Sequence, residues 1–524
     1  MSSKNSYRII LVTPSQSINV TAGEHLGLAY IAAGLKYFGY NVEIIDGWLE
    51  NLSSEKILNL ILGGEHPLVV GFSSYASNMK EVTQIISMLK TQGVVFPFVA
   101  GGYGPTFHAE EYLREGFDFV IRGEGDNVFP QLCEYILNRN PPISEIPAVS
   151  YINQDNKICH NPPEQFSINL DSLPFPARDT IHFSILQKSP VNILSSKGCM
   201  GHCVYCSVHA FQNVTSKKWR QRSLENFVDE IEKIVSVYNV SHFRLVDDSL
   251  IEPPRDENWC KRFADEIEKR NLKIRLRGAI RANRVTDGII RELKRAGFFY
   301  FSCGIENFAS TALKRMGKGV TLDQNIQALE IFKKYGVSVE AGAILFDDST
   351  TLEELWQNYN FMRQYYWTIS KVFTIMYASH GTPFTRKILQ KKIVTNEKHK
   401  LGNYLYPILD QKANLAYQAL RYWSKYNIQL YDMSINPLRA KAISENEFEL
   451  FYTLYKEIHK KELDILGNIF VWVKDGMPLA IIKKELKSYH KKNQNWYDNF
   501  EKRLKELYQL SDLVYKAKGN PFIC

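Results

Sequence analysis

The sequence has few of the features that mark membrane, secreted or nucleic-acid-binding proteins. It has no uninterrupted run of about 18 apolar residues, so we expect no membrane span. Its first segment, MSSKNSYRIILVTP, lacks the apolar core of a signal peptide. The net charge of +8 over 524 residues comes without a compact Lys/Arg block, so we expect no nucleic-acid partner. Eight cysteines are too few for a disulfide scaffold, which favours a reduced, cytoplasmic setting.

Five apolar, strand-like runs alternate with helical segments over residues 1–140. They are RIILVTP (8–14), NVEIID (41–46), LVVGFSS (68–74), FPFVAGG (96–102) and FDFVIRG (117–123). Nearly continuous apolar strands joined by helices predict a doubly wound, five-stranded parallel sheet covered on both faces. Such sheets bind ligands at the C-terminal ends of their strands.

The rest of the chain divides into a connector, a second α/β domain and a helical domain. Residues 141–190 carry six prolines between Pro141 and Pro174 and predict a connector with a hairpin. Over residues 191–388, six further strands alternate with helices: VNILSS (191–196), HFRLVDD (242–248), KIRLRGA (273–279), FFYFSCGI (298–305), VSVEAGAILF (337–346) and SKVFTIMYA (370–378). Six parallel β/α units predict a partial (β/α)6 barrel. Residues 389–524 show only helical periodicity.

Three cysteines form the most specific pattern in the sequence. Cys199, Cys203 and Cys206 have C-x3-C-x2-C spacing directly after a predicted strand. Three thiolates on one short loop can hold three irons of a 4Fe–4S cube and leave the fourth iron open to another ligand. The alternatives are ordinary buried thiols or a zinc site; zinc normally takes four ligands, and only His202 could complete the set. The spacing favours the cluster.

The cysteine motif and the six-unit barrel behind it resemble the radical S-adenosylmethionine superfamily. The resemblance implies that a reduced cluster donates one electron to S-adenosylmethionine. A 5′-deoxyadenosyl radical then abstracts a hydrogen atom from the substrate, while the protein orients and seals the reaction. The resemblance also implies an external electron donor of the flavodoxin or ferredoxin type.

The same resemblance implies further contacts to S-adenosylmethionine at strand ends. The residues are Tyr205, Asp247, Arg281, Ser302 and Glu306. In VDDS, Asp247 or its neighbour Asp248 is implied for the amino group, and Arg281 for the carboxylate. Asn307 stands where the family usually has a serine. For each charged residue the alternative is a helix cap or a salt bridge.

The N-terminal domain resembles the cobalamin-binding domain of one branch of this superfamily. The resemblance rests on the segments 25–46, 71–78, 100–111 and 118–127, and the candidate contacts are Ser73, Ser74, Tyr75, Gly101 and Gly102. The D-x-H-x-x-G signature of cobalt-ligating histidines is absent, and His108 is expected to have a surface or supporting role. The alternative is a degenerate domain that has lost its cofactor.

These features predict a cobalamin-dependent radical enzyme that methylates an unactivated carbon of a small or peptide-derived biosynthetic intermediate. The alternative keeps both cofactors but does non-methylating chemistry, such as cyclisation, rearrangement or dehydration. A tRNA methylthiotransferase is disfavoured because residues 1–130 contain no cysteine. A non-enzymatic corrinoid carrier is disfavoured by the intact cysteine motif. We expect the helical region after residue 390 to act as a lid.

Overall fold

The computed structural model describes residues 4, 7–15, 23–163, 169–215, 218–365, 374–395 and 404–515. A seven-stranded sheet opens the chain, in the order β2-β1-β3-β4-β5-β6-β7. Its strands are β1 (Arg8–Thr13), β2 (Asn41–Asp46), β3 (Pro67–Ser73), β4 (Phe98–Gly101), β5 (Phe119–Ile121), β6 (Val149–Ile152) and β7 (Ile158–His160). The accompanying helices are α1 (Leu26–Tyr37), α2 (Gly47–Glu50), α3 (Ser54–Leu62), α4 (Met79–Thr91), α5 (Tyr103–Phe107), α6 (Ala109–Arg114) and α7 (Val128–Asn138).

The first five strands are parallel and doubly wound, as the sequence predicts. Successive residues of β1 point to opposite faces of the sheet. Ile10 belongs to the hydrophobic core on one face and Leu11 to the core on the other face. The hairpin of β6 and β7, expected within the connector, pairs antiparallel with β5 and extends this sheet. The order β2-β1-β3 puts a topological switch point between β1 and β3, where such sheets open a ligand crevice.

A five-stranded parallel sheet, in the order β14-β13-β12-β11-β8, forms the partial barrel. Its strands are β8 (Val191–Ile193), β11 (His242–Leu245), β12 (Arg275–Arg281), β13 (Phe298–Glu306) and β14 (Ser338–Ala343), and the ribbon of β9 (Ser196–Lys197) and β10 (Arg220–Gln221) lies beside it. Its helices, with α8 of the connector, are α8 (Ile181–Leu186), α9 (Ser207–Thr215), α10 (Leu224–Tyr238), α11 (Glu257–Lys269), α12 (Asp287–Arg295), α13 (Ser310–Arg315), α14 (Leu322–Lys334), α15 (Leu352–Tyr365) and α16 (Pro383–Gln390). Of the sixth predicted strand (370–378), residues 370–373 lie outside the described residues, and Ile375 forms a parallel bridge to Phe346.

Four helices complete the chain: α17 (Gln411–Ala440), α18 (Glu445–Lys474), α19 (Leu479–Lys492) and α20 (Gln494–Leu510). Their apolar side chains share one continuous core with the barrel, in which Phe301 and Trp423 are both buried. None of the helices in the described ranges is long and apolar enough to cross a membrane.

Two helices of the helical region, α17 and α18, do not lie where the expected lid would be. α17 starts near Asp348 and ends at the opposite side of the barrel, where His242 Nε2 lies 3.0 Å from the Ile443 carbonyl oxygen. His242 is the first residue of β11, and Phe448 of α18 packs on Phe299 at the start of β13. α17 and α18 therefore lie along the barrel and under the N-terminal ends of its strands. The expectation that these two helices close the mouth of the barrel is wrong.

The domain boundaries predicted at residues 140, 190 and 388 stay predictions.

Candidate active site

The three cysteines lie on one loop between β9 and α9, at the C-terminal end of the barrel. Cys203 is buried, Cys199 and Cys206 are partly buried, and all three are free thiols. The Gly201 N–H donates to Cys199 Sγ at 3.2 Å, and backbone N–H groups in the first turn of α9 donate to the Cys206 sulfur. N–H groups aimed at sulfur are among the contacts that tune an iron–sulfur cluster.

The loop is held closely by the segments around it. A side chain at Gly201 would place its Cβ 3.3 Å from Cys199 Sγ, a tight contact that glycine avoids. Val204 N–H donates to the Met316 carbonyl oxygen at 3.0 Å, and Phe384 N–H donates to the Val204 carbonyl oxygen at 2.9 Å. Two segments that follow barrel strands thus fix the backbone between Cys203 and Cys206.

The chemistry of the thiols fits an iron–sulfur cluster. Burial raises the pKa of the Cys199 thiol to about 12, and burial also raises the pKa of Cys206. Glu252 adds to the effect, because its Oε1 accepts from the Cys199 thiol at 3.6 Å. Thiolates here need an adjacent positive charge, which bound metal supplies. Among the described residues, no three His, Cys, Asp or Glu side chains are close enough together to bind one metal ion. A 4Fe–4S cube does not require this, because each of the three thiolates binds a different iron.

Arg281 lies at the end of β12 beside the cysteine loop. A Cβ at Gly201 would lie 3.4 Å from its guanidinium. Its Nη1 is 3.4 Å from Glu252 Oε1 and its Nη2 is 3.4 Å from the Lys318 carbonyl oxygen. Its buried Nε has no hydrogen-bond partner among the described residues. A cation with an unused N–H beside the loop fits a carboxylate ligand.

Glu306 ends β13 in the left-handed region, with φ of 66°. Its Oε1 accepts from Lys318 Nζ at 2.9 Å, and Tyr205 of the cysteine loop is hydrogen-bonded to the same carboxylate. Gly304 leaves room for this ion pair, because a Cβ there would lie 2.7 Å from Glu306 Oε1. Ser302 is exposed although it lies in the middle of β13. The structure therefore gathers Tyr205, Glu306 and Arg281 around the cysteine loop, with Ser302 deeper in the barrel.

The two aspartates of VDDS face different surroundings. Asp247 is buried and accepts from the Ser195 N–H at 2.8 Å and from Ser196 Oγ at 2.6 Å. Asp248 lines a cavity, where it accepts from the Gly198 N–H at 3.1 Å. Burial raises the pKa of Asp248 to about 6. This placement favours Asp248 over Asp247 as the ligand contact.

That cavity, of about 390 Å³, separates the strand ends of the N-terminal sheet from the cysteine loop. Ser73, Tyr75, Gly101 and Gly102 line one side, and Gly198 and Asp248 belong to the other. Gly101 fits a flat ligand, because a Cβ there would meet no atom within 4 Å. Gly102 has φ of 99°, a conformation that favours glycine. An open backbone surface at the switch-point edge of the sheet fits the face of a corrin ring.

Two of the residues considered for the N-terminal site lie behind the cavity wall. Ser74 is buried, and its Oγ is 2.6 Å from Tyr112 Oη and 3.0 Å from Asn78 Oδ1. His108 packs against His380 with ring centroids 4.0 Å apart, and its Nδ1 is 3.2 Å from Glu111 Oε1. Neither side chain lines the cavity.

Sequence reasoning missed His25, which does line the cavity. Its Nδ1 accepts from the Leu28 N–H at 3.1 Å, so the neutral ring carries its proton on Nε2. That Nε2 lies 3.0 Å from Ser73 Oγ. The sequence feature that could have identified His25 is its position directly before an apolar, helix-periodic run, where the N-cap of a helix is expected.

Ion pairs across the cavity were also missed. Lys197 Nζ lies 2.8 Å from Asp126 Oδ2, and Arg220 pairs with Glu124. Both acids come from the loop after β5 and both bases from the ribbon next to the cysteine loop. Partners this far apart in the sequence give no local signal.

Comparisons with known proteins agree with this arrangement. The family model for the B12 binding domain matches residues 20–133, and that for the radical SAM superfamily matches residues 193–362. The chain is 26% identical to an uncharacterized methyltransferase of Pyrococcus horikoshii, over 84% of this chain and 95% of that protein. It is 27% identical to the anaerobic magnesium-protoporphyrin IX monomethyl ester cyclase of Rubrivivax gelatinosus, over 64% of this chain and 61% of the cyclase.

A solved structure shows the same fold over nearly the whole chain. The structure of the cobalamin-dependent S-adenosylmethionine radical enzyme OxsB with aqua-cobalamin bound matches with a TM-score of 0.78 and 17% identity. The match covers 97% of this chain and 84% of OxsB. The two family models cover more than half of the chain, and they imply cobalamin, S-adenosylmethionine and a 4Fe–4S cluster as cofactors. The chain belongs to the cobalamin-dependent radical S-adenosylmethionine enzymes.

Proposed function

We propose that this enzyme methylates an unactivated carbon of a small-molecule or peptide-derived biosynthetic intermediate. The observation that carries the proposal is the shared cavity, in which Gly101 and Gly102 face Gly198 and Asp248 across one space. Methyl transfer needs both cofactors to reach one substrate carbon, and a single cavity allows this. The relative matched over 95% of its length is named a methyltransferase, which supports the same conclusion.

Each cofactor has candidate residues to hold it. Cys199, Cys203 and Cys206 would hold the cluster; Tyr205, Asp248, Arg281, Ser302 and Glu306 would contact S-adenosylmethionine; and Ser73, Tyr75, Gly101 and Gly102 would contact cobalamin. When bound, the cluster supplies the electron that cleaves S-adenosylmethionine, and cobalamin carries a methyl group. The chain's own contribution is orientation and exclusion of water.

Ser74 and Asp247 are proposed to support the residues that contact the cofactors, without contacting the cofactors themselves. Asp247 fixes Ser195 and Ser196 just before the cysteine loop, and Ser74 fixes the loop after β3 through Tyr112. An external flavodoxin or ferredoxin is proposed as the electron donor. Clustered free thiols that must stay reduced suit a cytoplasmic location.

Labelled S-adenosylmethionine tests the proposal. Reconstituted enzyme supplied with methyl-labelled S-adenosylmethionine should place the label in the product. It should also form S-adenosylhomocysteine and 5′-deoxyadenosine in equal amounts. A product without label, formed with 5′-deoxyadenosine but no S-adenosylhomocysteine, would reject methylation.

That second outcome would favour non-methylating radical chemistry with the same cofactors. The match to a cyclase over 64% of this chain supports it as the second candidate. Its product would differ from the substrate by a new ring, a rearrangement or loss of water, at constant carbon count. Mass spectrometry of the product separates the two reactions.

A further inference from the structure

Two arginines lie side by side on the lumen face of the barrel. Arg244 of β11 is in register with Arg277 of β12, and Arg277 is in register with Tyr300 of β13. Residues in register on neighbouring parallel strands point to the same face of the sheet. Along one strand, every second residue points to that face. Arg277 and Arg281 are four residues apart on β12, so both point into the lumen. The arginine pair therefore lies beneath the residues that surround the cysteine loop.

The charges of this pair are not balanced. Arg277 is 3% exposed, and its Nε and Nη1 have no hydrogen-bond partner among the described residues. Its Nη2 donates to the Lys441 carbonyl oxygen at the end of α17. No described residue forms a hydrogen bond or ion pair with Arg244. Burial, together with a smaller effect of the neighbouring Arg244 and Arg275, lowers the pKa of Arg277 to about 10.

The acidic groups nearby are occupied or peripheral. Glu340, on the lumen face of β14, accepts from Arg439 Nε at 2.7 Å and from Tyr300 Oη at 2.9 Å. Glu445 lies 3.6 Å from Arg275 Nη1, and its side chain is 80% exposed. Arg277 also lies over the Phe299 ring, 5.2 Å from its centroid, but a buried cation without a counter-charge is still strongly unfavourable. The pair of Arg244 and Arg277 thus calls for an anion that none of the described residues provides.

The lumen above the pair is open. Ser302 is in register with Ala279 and with Glu340, one row above Tyr300, and it is exposed in mid-strand. Over Gly304 and Gly342, which continue this face, the space is taken by the side chains of Glu306 and Lys318. Arg244 and Ala279 are only half-buried, so the open part of the lumen lies over β11 and β12. From Arg277 to Arg281 the strand rises by four residues, about 13 Å at roughly 3.3 Å per residue. A molecule can therefore extend from the cysteine-loop end of the lumen down to the arginines.

We propose that Arg244 and Arg277 bind a terminal anionic group, a carboxylate or a phosphate, of the substrate. The inference rests on the proposed function, because it places the reacting carbon at the cysteine-loop end of the lumen. Guanidinium groups match both anions in geometry and charge. The substrate class is an elongated molecule whose anionic end lies on the order of 10 Å from the reacting carbon, given the strand rise.

Calorimetric titration of the full-length, cluster-reconstituted protein tests this site without the true substrate. The probes are two pairs, inorganic phosphate with hexyl phosphate and acetate with hexanoate, at ionic strength held constant with chloride. We expect at least one alkyl anion to bind with one-to-one stoichiometry and more tightly than its short counterpart. Arg244→Gln should weaken binding about tenfold or more, since charge-assisted hydrogen bonds are lost. Arg262→Gln, which removes an exposed arginine of α11, should bind as the wild type does.

The folding of the variant is checked by its melting temperature. Arg244→Gln removes an uncompensated cation, so without anion it should melt at or above the wild-type temperature. Binding of no probe, or undiminished binding by Arg244→Gln, would overturn the inference. If the short and the long anion of each pair bound equally well, the site would be assigned to a small free anion and the substrate assignment would be overturned. Formation of S-adenosylhomocysteine together with 5′-deoxyadenosine, assayed separately, reports on the proposed function: an enzyme that forms both but has no anion site rejects this inference alone.

Discussion

Lys197 Nζ lies 2.8 Å from Asp126 Oδ2, and this contact ties the strand before the cysteine loop to the loop after β5 of the N-terminal sheet. The side chains are 20% and 8% exposed, so the pair is largely screened from water. Burial and Asp126 act in opposite directions on Lys197, and the acidic neighbours prevail, which raises its pKa. The ion pair holds the two cofactor domains in register across the cavity.

A double-mutant cycle should measure this link. Lys197→Met leaves Asp126 without its cation, and Asp126→Asn leaves Lys197 without its anion, so each single change should weaken cobalamin binding and lower stability. The double variant should lose less than the sum of the two, with a coupling energy of about 1–3 kcal/mol. Cobalamin titration and thermal unfolding provide the readouts. Strict additivity would show that the domains are held without this pair.

Iron content distinguishes the loop cysteines from the buried ones. Cys199→Ala, Cys203→Ala and Cys206→Ala should each abolish the roughly four irons and four sulfides expected for one cube. Cys260 and Cys303 are fully buried in the barrel core, so Cys260→Ala and Cys303→Ala should retain full iron content. Iron and sulfide analysis after anaerobic reconstitution checks this. A requirement for Cys303 but not for Cys203 would reject the assignment.

The sequence predicted the parts of the fold that depend on local pattern. The apolar run at 41–46 matches β2 residue for residue, and the run at 298–305 matches β13 to within one residue, because nearly continuous apolar strands are characteristic of sheets buried on both faces. The cysteine spacing is equally local, since all three ligands share one loop. Each of these features is specified by residues fewer than ten positions apart.

Features that depend on tertiary packing were not predictable. The side-chain partners of Asp247 and Asp248 decide which one faces the cavity, and those partners lie about 50 residues away. The position of α17 and α18 beneath the barrel depends on contacts such as that of Phe299 on β13 with Phe448 on α18, and the sequence pattern of each element shows only that its face is apolar. Hydrophobic periodicity predicts that a face is buried but does not identify its partner.

The aspartates of VDDS should respond differently to the same change. Asp247→Asn leaves the fully buried Arg255 guanidinium, 3.8 Å away, without its counter-charge and should cost about 3–5 kcal/mol. Asp248→Asn keeps its contact to the Gly198 N–H and should unfold like the wild type, while binding of S-adenosylmethionine weakens. Thermal unfolding and equilibrium dialysis separate these effects. A stable Asp247→Asn variant that bound S-adenosylmethionine weakly, beside an Asp248→Asn variant that bound it normally, would reverse the assignment.

Glu462 of α18 should make the stability of the protein depend on pH. Its two carboxylate oxygens accept from Trp423 Nε1 at 2.7 Å and from Asn427 Nδ2 at 2.9 Å. Burial nevertheless raises the pKa of Glu462 from 4.5 to about 7. Between these values the folded chain binds more protons than the unfolded chain, so the free energy of unfolding falls as pH rises.

Glu462→Gln should therefore reduce this slope and be more stable than the wild type above about pH 7, by about 2–3 kcal/mol. The Asn427 amide can rotate to accept from the new NH2 group, because its Oδ1 is buried without a partner among the described residues. Some slope should remain, since burial also raises the pKa of Glu24 to about 7. Glu457→Gln, at a partly exposed pair with Arg503, is the control and should keep the wild-type slope. Denaturant unfolding across pH 4 to 9 checks the prediction, and parallel curves for Glu462→Gln and the wild type would contradict it.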